Sequence, residues 1–83
     1  MRTGDTVRHK PTDERWIVAC VNEDELVPCG WPLSYAKTSD CELVNAATDE
    51  VRADLLHRLA AMNDQSDPRC RYATHVIAQK KID

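Results

Sequence analysis

Arg15-Trp16-Ile17-Val18-Ala19-Cys20-Val21 is the most strand-like run in the chain. It is rich in β-branched and aromatic residues, which fit a pleated surface, and apolar side chains fall on both of its alternating faces. On strict alternation Trp16, Val18 and Cys20 share one face. A strand apolar on both sides has to be covered on both, so it belongs in the middle of a barrel or sandwich. Upstream, Gly4-Asp5 opens a first strand, Thr6 to Lys10, with Val7 and His9 on one face. Pro11-Thr12-Asp13 is the turn between the two, proline fixing φ and the short polar residues satisfying their own backbone.

Downstream, Asn22-Glu23-Asp24 turns the chain and Glu25 to Cys29 returns it as a third strand. Pro28 cannot donate to a ladder, so this strand ends there or lies at an edge. Gly30-Trp31-Pro32 breaks the run, Tyr35 to Thr38 is a weak fourth strand, Ser39-Asp40 is a turn, and Cys41 to Asn45 is a fifth strand carrying Leu43. Five short strands in about 45 residues fit a small closed antiparallel barrel better than a sandwich, because closure removes the edges.

From residue 48 the periodicity becomes helical. Thr48 is an N-cap, with Asp49 and Glu50 favourably placed in the first turn. Val51, Leu55, Leu59 and Met62 fall within about 80° on a wheel of about 100° per residue, and Leu56 widens that arc. Asn63 to Ser66 is a polar turn. Asp67-Pro68 then pairs a capping residue with proline at the first helical position, and Tyr72, Ala73, Val76 and Ile77 share an arc with Cys70 at its edge. The expected class is α+β in one domain, residues 1–83: a five-stranded barrel over 1–46, then two antiparallel helices over 48–80, packed across its mouth.

Residues Gly4-Asp5-x-Val7, Trp16-Ile17-Val18, Val27-x-Cys29-x-Trp31 and Glu42-Leu43-Val44 together resemble the YodC-like family of small bacterial and phage-borne proteins, over a little more than half the chain. The resemblance implies an SH3-like barrel for residues 1–45 and no particular activity. Where that family has a glycine-rich turn, this chain reads Pro11-Thr12-Asp13-Glu14, and the helical pair has no counterpart in the pattern.

At 83 residues folding buries only about 60–65% of the unfolded chain's surface, and a core of that size supplies roughly 3–5 kcal/mol. Self-association through the helical stripes, as a homodimer, is one expectation that follows. The formal net charge is −3, too mild for a mimic of DNA and of the wrong sign for general attraction to phosphate backbones. Charge is unevenly placed: Glu23-Asp24-Glu25 is acidic, whereas Arg69, Arg71, Lys80 and Lys81 make the C-terminal end basic. The opening residues do not read as a signal peptide and no apolar run reaches membrane-spanning length, so a cytoplasmic protein with reduced thiols is expected.

The residues argue against catalysis and against a cofactor. His9, His57 and His75 lie on different elements, no local signature surrounds any cysteine, and with only two glycines there is no loop to cradle phosphate. Cys20, Cys29, Cys41 and Cys70 contain no CxxC half-site. Convergence of the first three on a metal, with Cys70 or His9 completing the set, is disfavoured because Cys20 shares the face of Trp16 and Val18; the thiols read as small hydrophobes. The candidate binding feature is Cys29-Gly30-Trp31-Pro32-Leu33-Ser34-Tyr35, in which Trp31, Pro32 and Tyr35 put amphipathic aromatic area near the surface, a composition enriched in recognition sites. The leading expectation is a non-enzymatic module that binds another protein, for instance a phage or mobile-element inhibitor acting by occlusion on a host system. The runner-up is a nucleic-acid-binding barrel using Arg69, Arg71, Lys80 and Lys81 with Tyr72.

Overall fold

The computed structural model describes residues 1–30 and 33–82, the last three of these by backbone alone. Five strands, β1 (Thr6–His9), β2 (Glu14–Asn22), β3 (Glu25–Pro28), β4 (Ala36–Lys37) and β5 (Cys41–Asn45), precede two helices, α1 (Asp49–Ala60) and α2 (Pro68–Ile82). The strands form one antiparallel sheet of order β4-β3-β2-β1-β5, with β2 in the middle; both of its sides are covered only over Val18–Cys20, and Ile17, expected to be covered as well, is 44% exposed. The sheet is not closed into a barrel. β4 and β5 are its two edges, joined in sequence by a 3-10 turn at Thr38–Asp40. The reason is local: β4 is two residues long and cannot carry a closing ladder.

β2 serves two ladders in succession. Its first half pairs with β1, from His9↔Glu14 to Thr6↔Ile17, and its second half pairs with β3, from Val18↔Pro28 to Asn22↔Glu25. Between Val18 and Cys20 the register slips by one residue, leaving Ala19 as a bulge. A bulge bends the strand and interrupts side-chain alternation. Val18 and Val21 therefore face one core, while Ala19 packs among the helices. Cys20 follows Ala19: its thiol is in the electrostatic reach of Asp67 and Arg69 at the start of α2. This corrects the alternation read from the sequence, which put Cys20 beside Trp16 and Val18.

The backbone groups exposed by the bulge are taken up by residues before β1. Gly4 N–H donates to Val18 O at 2.8 Å, Val18 N–H donates to Asp5 O at 2.9 Å, and the Thr3 hydroxyl donates to Ala19 O at 2.8 Å. Gly4 sits at φ +91°, where a Cβ would lie 3.0 Å from Ala47 Cβ; only glycine suits both demands. At the β1–β2 turn it is Asp13, at φ 59°, that takes the left-handed conformation, one that Asp tolerates better than most residues.

Two cores result. Val7, Val18, Leu26 and Cys41 fill the sheet's inner face, with Trp16, Val21 and Ala36 against them. His9 stacks on Trp16 at the rim, ring centroids 4.2 Å apart. On the other side of β2, Ala19, Leu56, Leu59 and Ala73 form the second core, with Cys29, Leu55, Val76 and Ile77 packed around it. The helices thus lie against the back of β2 and not across the mouth of the sheet's own core.

Both caps read from the sequence are made: the Thr48 hydroxyl accepts from Val51 N–H at 3.2 Å and Asp67 Oδ1 accepts from Arg69 N–H at 2.9 Å. The buried arcs differ from those expected. In α1 the buried leucines are Leu56 and Leu59, while Val51 is 53% and Met62 42% exposed. The helix is rolled because Arg52 belongs to its inner side: Nε donates to Thr3 O at 3.1 Å and Nη2 to Asp5 Oδ1 at 3.2 Å. In α2 the buried set is Arg69, Cys70 and Ala73, with Tyr72 outside it. Among the described residues no helix is long and apolar enough to cross a membrane.

Candidate functional site

An open cleft of about 400 Å³ lies between the far half of β2, the start of β3 and the first two turns of α2. Its floor is hairpin: Cys20, Val21, Asn22, Glu25 and Val27. One wall is α2, which contributes Pro68, Arg71, Tyr72 and His75, and Tyr35, just before β4, closes the other side. Arg71 and His75 are one turn apart and Tyr72 lies between them. The residues buried by α2 span about 120° of the helix, and Tyr72 stands about 40° beyond the Val76 edge of that arc. Its ring therefore leans out over the cleft and not into the core.

A buried ionic fork fixes the wall to the floor. Arg69, 2% exposed, donates from Nε to Asp67 Oδ1 at 3.0 Å and from Nη2 to Asp67 Oδ2 at 2.6 Å. Its Nη1 donates to the carbonyls of Cys29 and Gly30, both at 3.0 Å. One guanidinium thus joins the cap of α2 to the end of β3, using the planar geometry that lysine lacks. The hydrogen bond from Arg69 holds the Asp67 carboxyl below its ordinary pKa, outweighing the burial that opposes ionisation.

The other end of the sheet has a matching device. Burial pushes Asp5 up, but the N–H groups of Ala47 and Arg2 and the Arg52 guanidinium outweigh it, and the carboxyl lies below its ordinary range. Each helix is therefore tied to the sheet by one arginine whose carboxylate is buried.

The thiols are set against ionisation. Burial raises Cys20, with Asp67 adding to it, and burial pushes Cys29 up to about 11. Cys41 is raised by burial and then by Asp40, and it sits in the other core. Cys20, Cys41 and Cys70 are buried and all four cysteines are free. Among the described residues no group of three or more His, Cys, Asp and Glu side chains is placed to hold a metal ion. Cys41 lies in the sheet's own core, whereas the bulge turns Cys20 to the helix side, within electrostatic reach of Cys29.

Of the residues singled out beforehand, Tyr35 is 54% exposed and lines the cleft. Trp31 and Pro32 lie outside the described residues, as do the side chains of Lys80 and Lys81. Arg71 is exposed and lines the cleft. Arg69 has to be removed from the basic surface patch: it is buried, and its donors are engaged by Asp67 and two carbonyls. The structure unites features the sequence kept in separate hypotheses, Tyr35 from one and Arg71 with Tyr72 from the other. Glu25 and His75 were not anticipated there, since nothing local signals that the β2–β3 hairpin will lie beside α2. No family model, no curated protein and no solved structure matches the chain.

Proposed function

We propose that the chain is a non-enzymatic accessory module that binds a segment of another protein in the cleft between Tyr35 and Tyr72. The observation that carries this reading is the pair of tyrosines, 54% and 38% exposed, on opposite sides of one cleft of about 400 Å³. Tyrosine offers a large apolar face, a polar tip and few rotamers to freeze, which is why it recurs in recognition surfaces. Its two supports here are an edge of the sheet and a helix fixed by the Arg69 fork. The cysteine nearest the cleft, Cys20, stays protonated through burial, so the groups on offer are those of recognition and not of nucleophilic attack.

An SH3-like reading of the sheet, and with it the resemblance to the YodC-like proteins, draws support from β2 serving two ladders about one bulge, the way a short sheet coils towards a barrel. A cytoplasmic binder that acts by occluding a partner's surface, of the kind carried by phages or mobile elements, is the role this size and site suit best. The nucleic-acid alternative has lost Arg69 and keeps Arg71 and Tyr72, with the Lys80 and Lys81 side chains outside the described residues, in an acidic chain.

The test is co-purification from the native host with the parent and with the Tyr35→Ser/Tyr72→Ser double variant, followed by titration of the purified partner. Both tyrosines are surface residues, so the variant keeps the parent's circular dichroism. Loss of hot-spot aromatics costs about 2 kcal/mol or more, at least a thirtyfold rise in Kd. Equal affinity for both proteins refutes the reading, and bound material destroyed by nuclease replaces it with the nucleic-acid one.

A further inference from the structure

Three recesses lie in a row. The central cleft shares Glu25 and Tyr35 with a recess of about 240 Å³ that also contains Asp24, Ala36 and Lys37. On its other side it shares Val21 and Tyr72 with a recess of about 170 Å³ lined by Met1, Arg2, Thr3, Arg52, Leu56 and Val76. Tyr35 and Tyr72 are thus the two ribs of one groove, running from the β2–β3 turn past α2 to the segment before β1. A line of shallow recesses separated by aromatic ribs fits an extended chain, whose side chains drop alternately towards the surface, better than a compact small molecule, which one enclosed pocket would hold.

The groove is electrostatically unequal along its length. At the turn end, Asp24 and Glu25 line it and Glu23 adjoins them, against the single cation Lys37. In the middle, Arg71 and His75 on α2 line the same cleft as Glu25 on the hairpin. At the far end Arg2 contributes a positive charge, while the charge of Arg52 is matched by Asp5 and Asp49.

Resting on the binding-module reading, we infer that this groove is directional: it takes an extended polypeptide segment with a cationic side chain at the Asp24/Glu25 end, apolar side chains against the two tyrosines, and a carboxylate on the α2 side, within reach of Arg71 in the central cleft and of Arg2 beyond it. Charges at the rim of an interface decide orientation and register more than affinity, so reversal of the segment places like charges together at both ends.

The experiment pans a library of random dodecapeptides against the full chain and, in parallel, against the Glu25→Lys/Arg71→Glu variant. Synthetic copies of the enriched peptides and their sequence-reversed forms are then titrated by fluorescence anisotropy at low and high salt. Glu25 and Arg71 are exposed, and an unchanged urea midpoint establishes that the variant is folded. The parent is expected to enrich peptides with basic and acidic residues at opposite ends of an apolar centre, bound at least tenfold more tightly than their reversed forms at low salt. The variant is expected to enrich the opposite order. Enriched peptides that need Tyr35 and Tyr72 but show no charge order, or that bind parent and charge-swapped variant equally, overturn the directionality and leave the docking reading standing. No enrichment above the Tyr35→Ser/Tyr72→Ser variant also overturns it, and the host-partner titration then judges the docking reading on its own.

Discussion

Replacing Arg69 with methionine removes the fork and keeps the helix propensity and the apolar stem. The structure sets the size of the effect. Four donor contacts disappear, two to Asp67 at 3.0 and 2.6 Å and one each to the Cys29 and Gly30 carbonyls at 3.0 Å. Breaking one side of a buried ion pair costs about 3–5 kcal/mol, because the surviving charge has no partner. The two carbonyls, which lose a donor at about 1 kcal/mol each, are partly inside that figure, since rehydration relieves them together. We therefore expect a loss of about 4 kcal/mol, a large share of the roughly 4–12 kcal/mol that a chain of this length has in all.

Asp67→Asn provides the control, since its amide oxygen still caps α2 while its charge is gone. In the double variant neither charge is stranded, so its cost falls short of the sum of the single costs by about 2–3 kcal/mol, within the range measured for coupled neighbours. Urea unfolding followed by circular dichroism reads this directly: with a slope of about 1.3 kcal/mol per molar, the Arg69→Met midpoint falls by about 3 M. A single variant within about 1 kcal/mol of the parent, or strict additivity in the double, refutes the claim that the fork fastens α2 to β3.

Acid should loosen both helices. Asp5 and Asp67 have folded pKa values below their ordinary 3.8, so their contribution is complete above the unfolded value and is lost as pH falls through the lower folded one; urea midpoints from pH 6 to pH 2 should drop mainly below about pH 4, and less steeply in Asp67→Asn. At the alkaline end the sign reverses: the Cys29 thiol is raised from 9.0 to about 11, so its contribution is intact below pH 9 and declines between the two values as the unfolded thiol ionises first, and Cys29→Ala flattens that limb of the stability profile. In α1, Leu56→Ala should cost about 2–5 kcal/mol and Val51→Ala less than about 0.5 kcal/mol, by the same urea assay; similar costs at the two positions contradict the roll of α1 described above.

Local patterns carried much of this fold. The doubly apolar Trp16–Val21 run stands at the centre of the sheet as expected, but its cover on both sides extends only over Val18–Cys20, since the helices do not reach Ile17. Cys41–Asn45 is the strand expected, and both helices begin where their caps, Thr48 and Asp67, put them. What local patterns could not show was relative placement. The Ala19 bulge turns Cys20 to the other side, and only pairing with β3 creates it. The wheel for α1 missed its roll because it counted apolar residues alone, whereas the Arg52 guanidinium reaches Thr3 and Asp5 across a long sequence separation. Arg69 was read as surface for the same reason: a buried arginine is rare without partners, and its partners, the carbonyls of Cys29 and Gly30, lie in a distant loop. The cleft was half legible: Tyr35 could be picked out by composition, whereas Tyr72, Glu25 and His75 join it only because the hairpin and α2 meet.

All of this descends from one geometric claim, that the Ala19 bulge divides β2 between two cores. Proton NMR tests it most directly through contacts to the Ala19 methyl group. Nuclear Overhauser effects are expected from that methyl to Leu56, Leu59 and Ala73, with none to Val7 or Leu26. Strong effects to Val7 and Leu26, with the helical residues silent, would contradict it.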